Sequence, residues 1–155
     1  LPSRFAQGDF PDVGPKIWDD ASAKSGATAM GARPLMVAFN VNLSGGSKNE
    51  LLVAAKQIAG RIRERDGGLP GVKSIGWYIP DLDVVQVSCN LTKPFETGVC
   101  EVFQTVQKQA MTLGYLAPDS ELIGCIPKSQ FDDCTLVSLG LGRFKPMTSD
   151  RILPY

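Results

Sequence analysis

The chain has 155 residues, 43% of them hydrophobic, enough to bury one sizeable core. Sixteen basic residues balance sixteen acidic ones, so no net field is available to hold a nucleic-acid backbone or an anionic membrane, and neither is expected as a partner. No apolar run approaches the roughly 20 residues of a membrane helix and residues 1–15 lack the regions of a signal peptide, so a soluble, cytoplasmic domain is expected.

Residues 1–33 are rich in Gly, Pro, Asp, Ser and Ala without sustained periodicity, which predicts an extended linker segment. From Pro34 the pattern changes. Leu35, Val37, Phe39, Val41 and Leu43 alternate with Met36, Ala38, Asn40 and Asn42, the period of a half-buried strand, until Ser44-Gly45-Gly46 breaks it. Ser47 and Glu50 have capping-box spacing, and Leu51, Ala55, Ile58 and Ile62 recur at helical intervals. Arg61, Arg63 and Arg65 suit the negative end of that helix, and Gly67-Gly68 its stop.

Two strand-like runs follow, 72–79 and 84–92, joined by the turn-forming Pro80-Asp81-Leu82-Asp83 as an antiparallel hairpin. That setting makes Asp81 and Asp83 turn residues rather than a catalytic carboxylate pair. Val99, Val102, Phe103, Val106, Ala110 and Leu113 form a second helical stripe ending at Gly114, and the apolar run 122–126 can close the sheet. A short helix within 129–139 and a charged, Gly- and Pro-containing tail make up a C-terminal extension, 128–155.

The order strand, helix, strand, strand, helix, strand over 34–127 is the split βαβ, or ferredoxin-like, unit of the α+β class, an antiparallel sheet with both helices on one face. Its other face is expected to be uncovered. There the even positions of the first strand put Asn40 and Asn42 beside Gln86, Ser88, Asn90 and Thr92 of the third, its central neighbour. A solvated sheet face would account for polarity alone, but such faces usually carry Lys, Glu and Arg, and Asn is poor in strands. Uncharged amides are what a partly desolvated ligand surface needs, because they donate and accept at a lower desolvation cost than ions. RNA-binding domains of this order need exposed aromatics at these outward positions, which here hold amides and hydroxyls.

The sequence contains no histidine, which excludes Ser-His-Asp and Cys-His nucleophile systems within it. Cys89, Cys100, Cys125 and Cys134 lack zinc-site spacing and any C-x-x-C pair, and no metal is expected. Cys89 and Cys125 lie in apolar runs and are expected as buried free thiols. No G-x-G-x-x-G or P-loop follows a strand. Arg33, at the entrance to the first strand, can meet an anionic ligand or remain solvated.

Several ordered motifs point to a family. Gly26-Ala27-Thr28, Gly31-Ala32-Arg33-Pro34 and Val37-Ala38-Phe39-Asn40-Val41-Asn42-Leu43 are followed by Gly67-Gly68-Leu69-Pro70-Gly71-Val72-Lys73 and Ile75-Gly76-Trp77-Tyr78. Gln86-Val87-Ser88, Asn90-Leu91, Ser120-Glu121-Leu122, Gly124 and Pro127 continue in register, and Phe10-Pro11-Asp12-Val13-Gly14-Pro15 precedes them. Together they resemble the C-terminal subdomain of the formiminotransferase domain in the glutamate formiminotransferase (formimidoyltransferase-cyclodeaminase) family.

That resemblance implies a transferase of histidine degradation and one-carbon metabolism, with tetrahydrofolate as co-substrate and formiminoglutamate as donor. It also implies an N-terminal subdomain as partner, carrying the catalytic histidine and closing a folate tunnel, so that the present chain alone is expected to be inactive. Arg33, Asn40, Asn42, Gln86, Ser88 and Asn90 would bind folate or substrate, and none of these would be catalytic. A homodimer stays open. The stretch between Pro127 and Leu139 is shorter than the family's, and no cyclodeaminase part is present, so deaminase activity is not inferred. The competing reading is a non-catalytic ferredoxin-like module that binds or senses a small molecule.

Overall fold

The computed structural model describes residues 1–154, which fall into two units, residues 1–33 and residues 34 onward. The first unit is not extended throughout. Pro2–Ala6 form a short helix α1 and Asp20–Ser25 a second, α2. Asp19 caps α2 by accepting the Ser22 N–H at 2.8 Å, and the Phe5 ring packs edge-on against Phe10 and Trp18. A local cap and a small aromatic cluster thus hold turns that periodicity did not reveal.

In the second unit β1 (Val37–Leu43) leads into α3 (Lys48–Ile62), β2 (Val72–Ile79), β3 (Val84–Leu91), α4 (Val99–Thr112) and β4 (Ser120–Ile123). The strands form one antiparallel sheet in the order β2-β3-β1-β4, with β1 and β3 at its centre. This is the ferredoxin-like order. The capping box at the start of α3 is formed by Ser47 and Glu50, and Gly67 takes the left-handed conformation after it, at φ 87°.

One sheet face carries Val37, Phe39, Val41, Val85, Val87, Cys89 and Leu91, all buried against α3 and α4. On α3 the stripe Leu51, Ala55, Ile58 and Ile62 supplies the opposing surface, and on α4 it is Val102, Phe103 and Val106. Contact is closest at Gly76, where an added Cβ would lie 2.2 Å from the Lys56 backbone nitrogen. Only glycine lets α3 descend that far onto β2.

The closing strand ends earlier than the apolar run suggested. Gly124 adopts φ 77° and turns the chain, so Ile126–Pro127 leave the main sheet and pair in parallel, as β5, with β6 (Ile152–Leu153). Cys125 is exposed in this turn, which corrects its expected burial. The helix expected within 129–139 is a single 3₁₀ turn, Lys128–Phe131, but the extension is docked: Leu139 and Leu141 are buried in the same core.

Candidate functional site

The two ladders decide which polar residues share a face. Asn42 lies opposite Gln86, Asn40 opposite Ser88 and Ala38 opposite Asn90. Across the other edge of β1, Asn40 pairs with Glu121, and across β3, Trp77, Ile75 and Lys73 pair with Gln86, Ser88 and Asn90. Asn40, Asn42, Gln86, Ser88 and Asn90 are therefore brought together on the face turned away from the helices. Met36 precedes β1, and Thr92 lies beyond β3 with its hydroxyl bound to the Gly71 carbonyl at 2.8 Å.

The face is not uniformly open, as the uncovered sheet of the sequence reading required. Asn40, Asn42, Gln86 and Glu121 are buried. Gln86 Nε2 donates to Asn42 Oδ1 at 2.8 Å and to Glu121 Oε2 at 3.1 Å, and Asn42 in turn donates to Asp119. The C-terminal extension lays the Lys145 ammonium against the Glu121 carboxylate. Burial raises the Glu121 pKa, but Lys145, Gln86 and Asn40 outweigh it and hold the carboxyl below its ordinary range. The polar patch thus contains an ionised carboxylate at its β4 edge, and Gln86 Oε1 is left buried without a partner.

Beyond this network the face opens. Ser88 is half-buried and Asn90 exposed, and β2 adds the exposed Lys73 with Ile75 and Trp77, which are 56% and 42% exposed. A cavity of about 500 Å³ lies here, bordered by Ser88, Asn90, Lys73 and Ile75 and by Arg63, Glu64 and Arg65 from the segment after α3, three cations against one carboxylate. Arg63 and Arg65 both reach Asp66, while Lys73 has no ion pair among the described residues. Such a pocket suits a flat, partly apolar ligand carrying a carboxylate: the apolar side chains cover the ring and the cations meet the charge.

Of the six residues singled out from the sequence, Ser88 and Asn90 line this opening, and Asn40, Asn42 and Gln86 lie on the same face outside its lining, in the buried network. Arg33 belongs to the first unit and is exposed. Sequence reasoning missed Glu121, Lys73, Arg63 and Arg65. Glu121 was recoverable once β4 was set beside β1, since it falls opposite Asn40. Lys145 had no signal, because only tertiary docking brings the tail to the sheet.

Residues 38–137 match the formiminotransferase domain family. The chain is 35% identical over 134 residues to a glutamate formimidoyltransferase of Thermoplasma acidophilum, covering 86% of the chain and 42% of that protein. Against the formimidoyltransferase-cyclodeaminase of Dictyostelium discoideum identity is 36% over 118 residues, covering 76% and 21%. The Sus scrofa formimidoyltransferase-cyclodeaminase is 33% identical over 129 residues, covering 82% and 23%. The chain spans less than half the length of these curated relatives.

Proposed function

The chain belongs to the formiminotransferase domain family, and we propose that it forms one wall of the folate site of an enzyme that passes the formimino group of formiminoglutamate to tetrahydrofolate. The observation that carries this reading is the cavity on the polar sheet face, where Ser88 and Asn90 stand beside Lys73, Arg63 and Arg65. A pterin ring presents donors and acceptors in one plane, which the amide and hydroxyl accept and donate to in turn. Its glutamyl carboxylate, or that of the donor, pairs with Lys73, Arg63 or Arg65.

Within this reading Asn40, Asn42 and Gln86 act through Glu121, holding the floor of the site rather than touching ligand. The chemistry is attack of tetrahydrofolate N5 on the formimino carbon, collapse of a tetrahedral intermediate and departure of the glutamate amine. That departure needs a proton. The chain has no histidine to supply it, and Glu121, held ionised, is a poor acid near neutral pH. The chain therefore contributes orientation, and the acid-base group is proposed to come from an N-terminal subdomain.

Trp77 on the ligand face provides the test. In a Trp18→Phe background, titration with 5-formyltetrahydrofolate is expected to change Trp77 fluorescence saturably, and Asn90→Ala to weaken that binding without altering thermal stability. Absence of any change, with the fold intact by circular dichroism, would contradict the assignment.

A further inference from the structure

Outside the polar face, the chain carries a second concentration of reactive groups where the C-terminal extension meets α4. Gln130, buried in the 3₁₀ turn after β5, clamps this junction: its Oε1 accepts the Val99 N–H at 3.1 Å and its Nε2 donates to the Pro94 carbonyl at 2.7 Å. The clamp brings two cysteines together that are far apart in sequence. Cys100, on the first turn of α4, directs its Sγ to the carbonyl of Asp133 at 3.5 Å, the residue immediately before Cys134. Cys134 directs its own Sγ back to the Gln130 carbonyl at 3.5 Å.

We propose that Cys100 and Cys134 are a redox-active dithiol that a hydroperoxide converts to a disulfide, pinning the C-terminal extension to α4. Two thiols at a packed junction can simply fill space, as Cys89 does in the core. These two differ from Cys89 in being only half-buried, and they differ from the exposed Cys125 in having a partner. A cavity of about 320 Å³ lined by Cys100, Glu96, Glu101 and Asp133 gives a reagent access to the Cys100 sulfur. Its carboxylates repel an anionic oxidant such as a glutathione-type disulfide but not neutral hydrogen peroxide.

The roles of the two sulfurs follow from their surroundings. Burial, and then the neighbouring Cys100 thiol, push the Cys134 thiol up to about 12, so Cys134 is not the sulfur that meets the peroxide first. The Cys100 thiolate attacks one peroxide oxygen. The O–O bond breaks, the departing hydroxide takes up the proton that the Cys100 thiol released and leaves as water, and Cys100 becomes a sulfenic acid. Cys134 then passes its proton to the sulfenic oxygen as its sulfur attacks the Cys100 sulfur, the S–S bond forms, the S–O bond breaks, and a second water leaves. Two electrons and two protons pass from the dithiol to peroxide, and a dithiol reductant reverses the change.

The bond would tether the extension that supplies Lys145 to Glu121, and it would close a long loop in the unfolded chain. The proposal stands on the cysteine geometry and is independent of the folate reading. To test it, the reduced 155-residue protein is treated with stoichiometric hydrogen peroxide, alkylated and analysed as peptides under non-reducing conditions. The expected product is a Cys100–Cys134 cross-link, with Cys89 and Cys125 recovered as single thiols and Tm raised by on the order of 5 °C until reductant is added. Cys134→Ser is expected to abolish the cross-link and leave Cys100 open to sulfinic acid. Progress of wild-type Cys100 to sulfinic acid without cross-linking, or pairing with Cys125 instead, would overturn the proposal.

Discussion

At the scale of single residues, Glu121 concentrates the electrostatics of the polar face. Its carboxylate accepts from Gln86 and meets Lys145, and it stays ionised despite burial. A carboxyl whose folded pKa lies below the ordinary 4.5 stabilises the fold fully above that value, and the contribution is lost as pH falls through the lower folded value. Replacing Glu121 by Gln should therefore lower stability at pH 7 and flatten the acid limb of the stability profile, leaving Asp19, Glu50 and Asp66, whose pKa values are also depressed, to provide the remaining slope. Urea denaturation at pH 7 and pH 4 measures both effects, and an unchanged difference between the two pH values would show that Glu121 is not coupled to folding. Asn40→Ala belongs to the same network. Asn40 is buried beside Glu121, so its loss should cost about 1 kcal/mol of stability, whereas the exposed Asn90 should cost within about 0.5. Equal stability losses at the two positions would erase the distinction between floor and opening.

Among the elements, α3 does most to fix the shape of the site, because its close seating on β2 sets where Arg63, Arg65 and Lys73 stand. Gly76 permits that seating, and two glycines placed differently on this pair of elements test it. Gly76→Ala drives a methyl into the backbone of Lys56 and Ala55 and should destabilise by about 1–3 kcal/mol or more. Gly60→Ala, within α3 and with nothing within 4 Å of the added carbon, should instead stabilise by about 0.5–1 kcal/mol through helix propensity. Thermal unfolding of the two variants should move in opposite directions, and a shared direction would mean that α3 does not approach β2 as described. The capping box, both hydrophobic stripes and the hairpin of this region were legible in order because each depends on neighbours a few residues apart. The end of β4 was not, since the positive φ of Gly124 interrupts a run whose hydrophobicity continues.

For the whole molecule, the unit from residue 34 onward carries both helical stripes, a four-stranded sheet and a core between them, and the isolated chain is expected to fold. Catalysis is a different matter. Under the proposed division of labour the purified chain should form no 5-formiminotetrahydrofolate at saturating substrates, and addition of a separately produced N-terminal subdomain should restore turnover; full activity from the chain alone would refute that division. Alternation in β1 and β3, the helical stripes and the motif order determined, from sequence alone, the ferredoxin-like architecture, the amides on one face and the family. Those signals are local or strictly ordered along the chain. Only the tertiary structure decided that Asn40, Asn42 and Gln86 are buried while Ser88 and Asn90 stay open, that Glu121 and Lys145 meet, and that Cys100 faces Cys134. The last two depend on where the C-terminal extension docks and the first on Asp119 and Glu121 reaching Asn42 and Gln86, contacts between residues distant in sequence that no periodicity encodes.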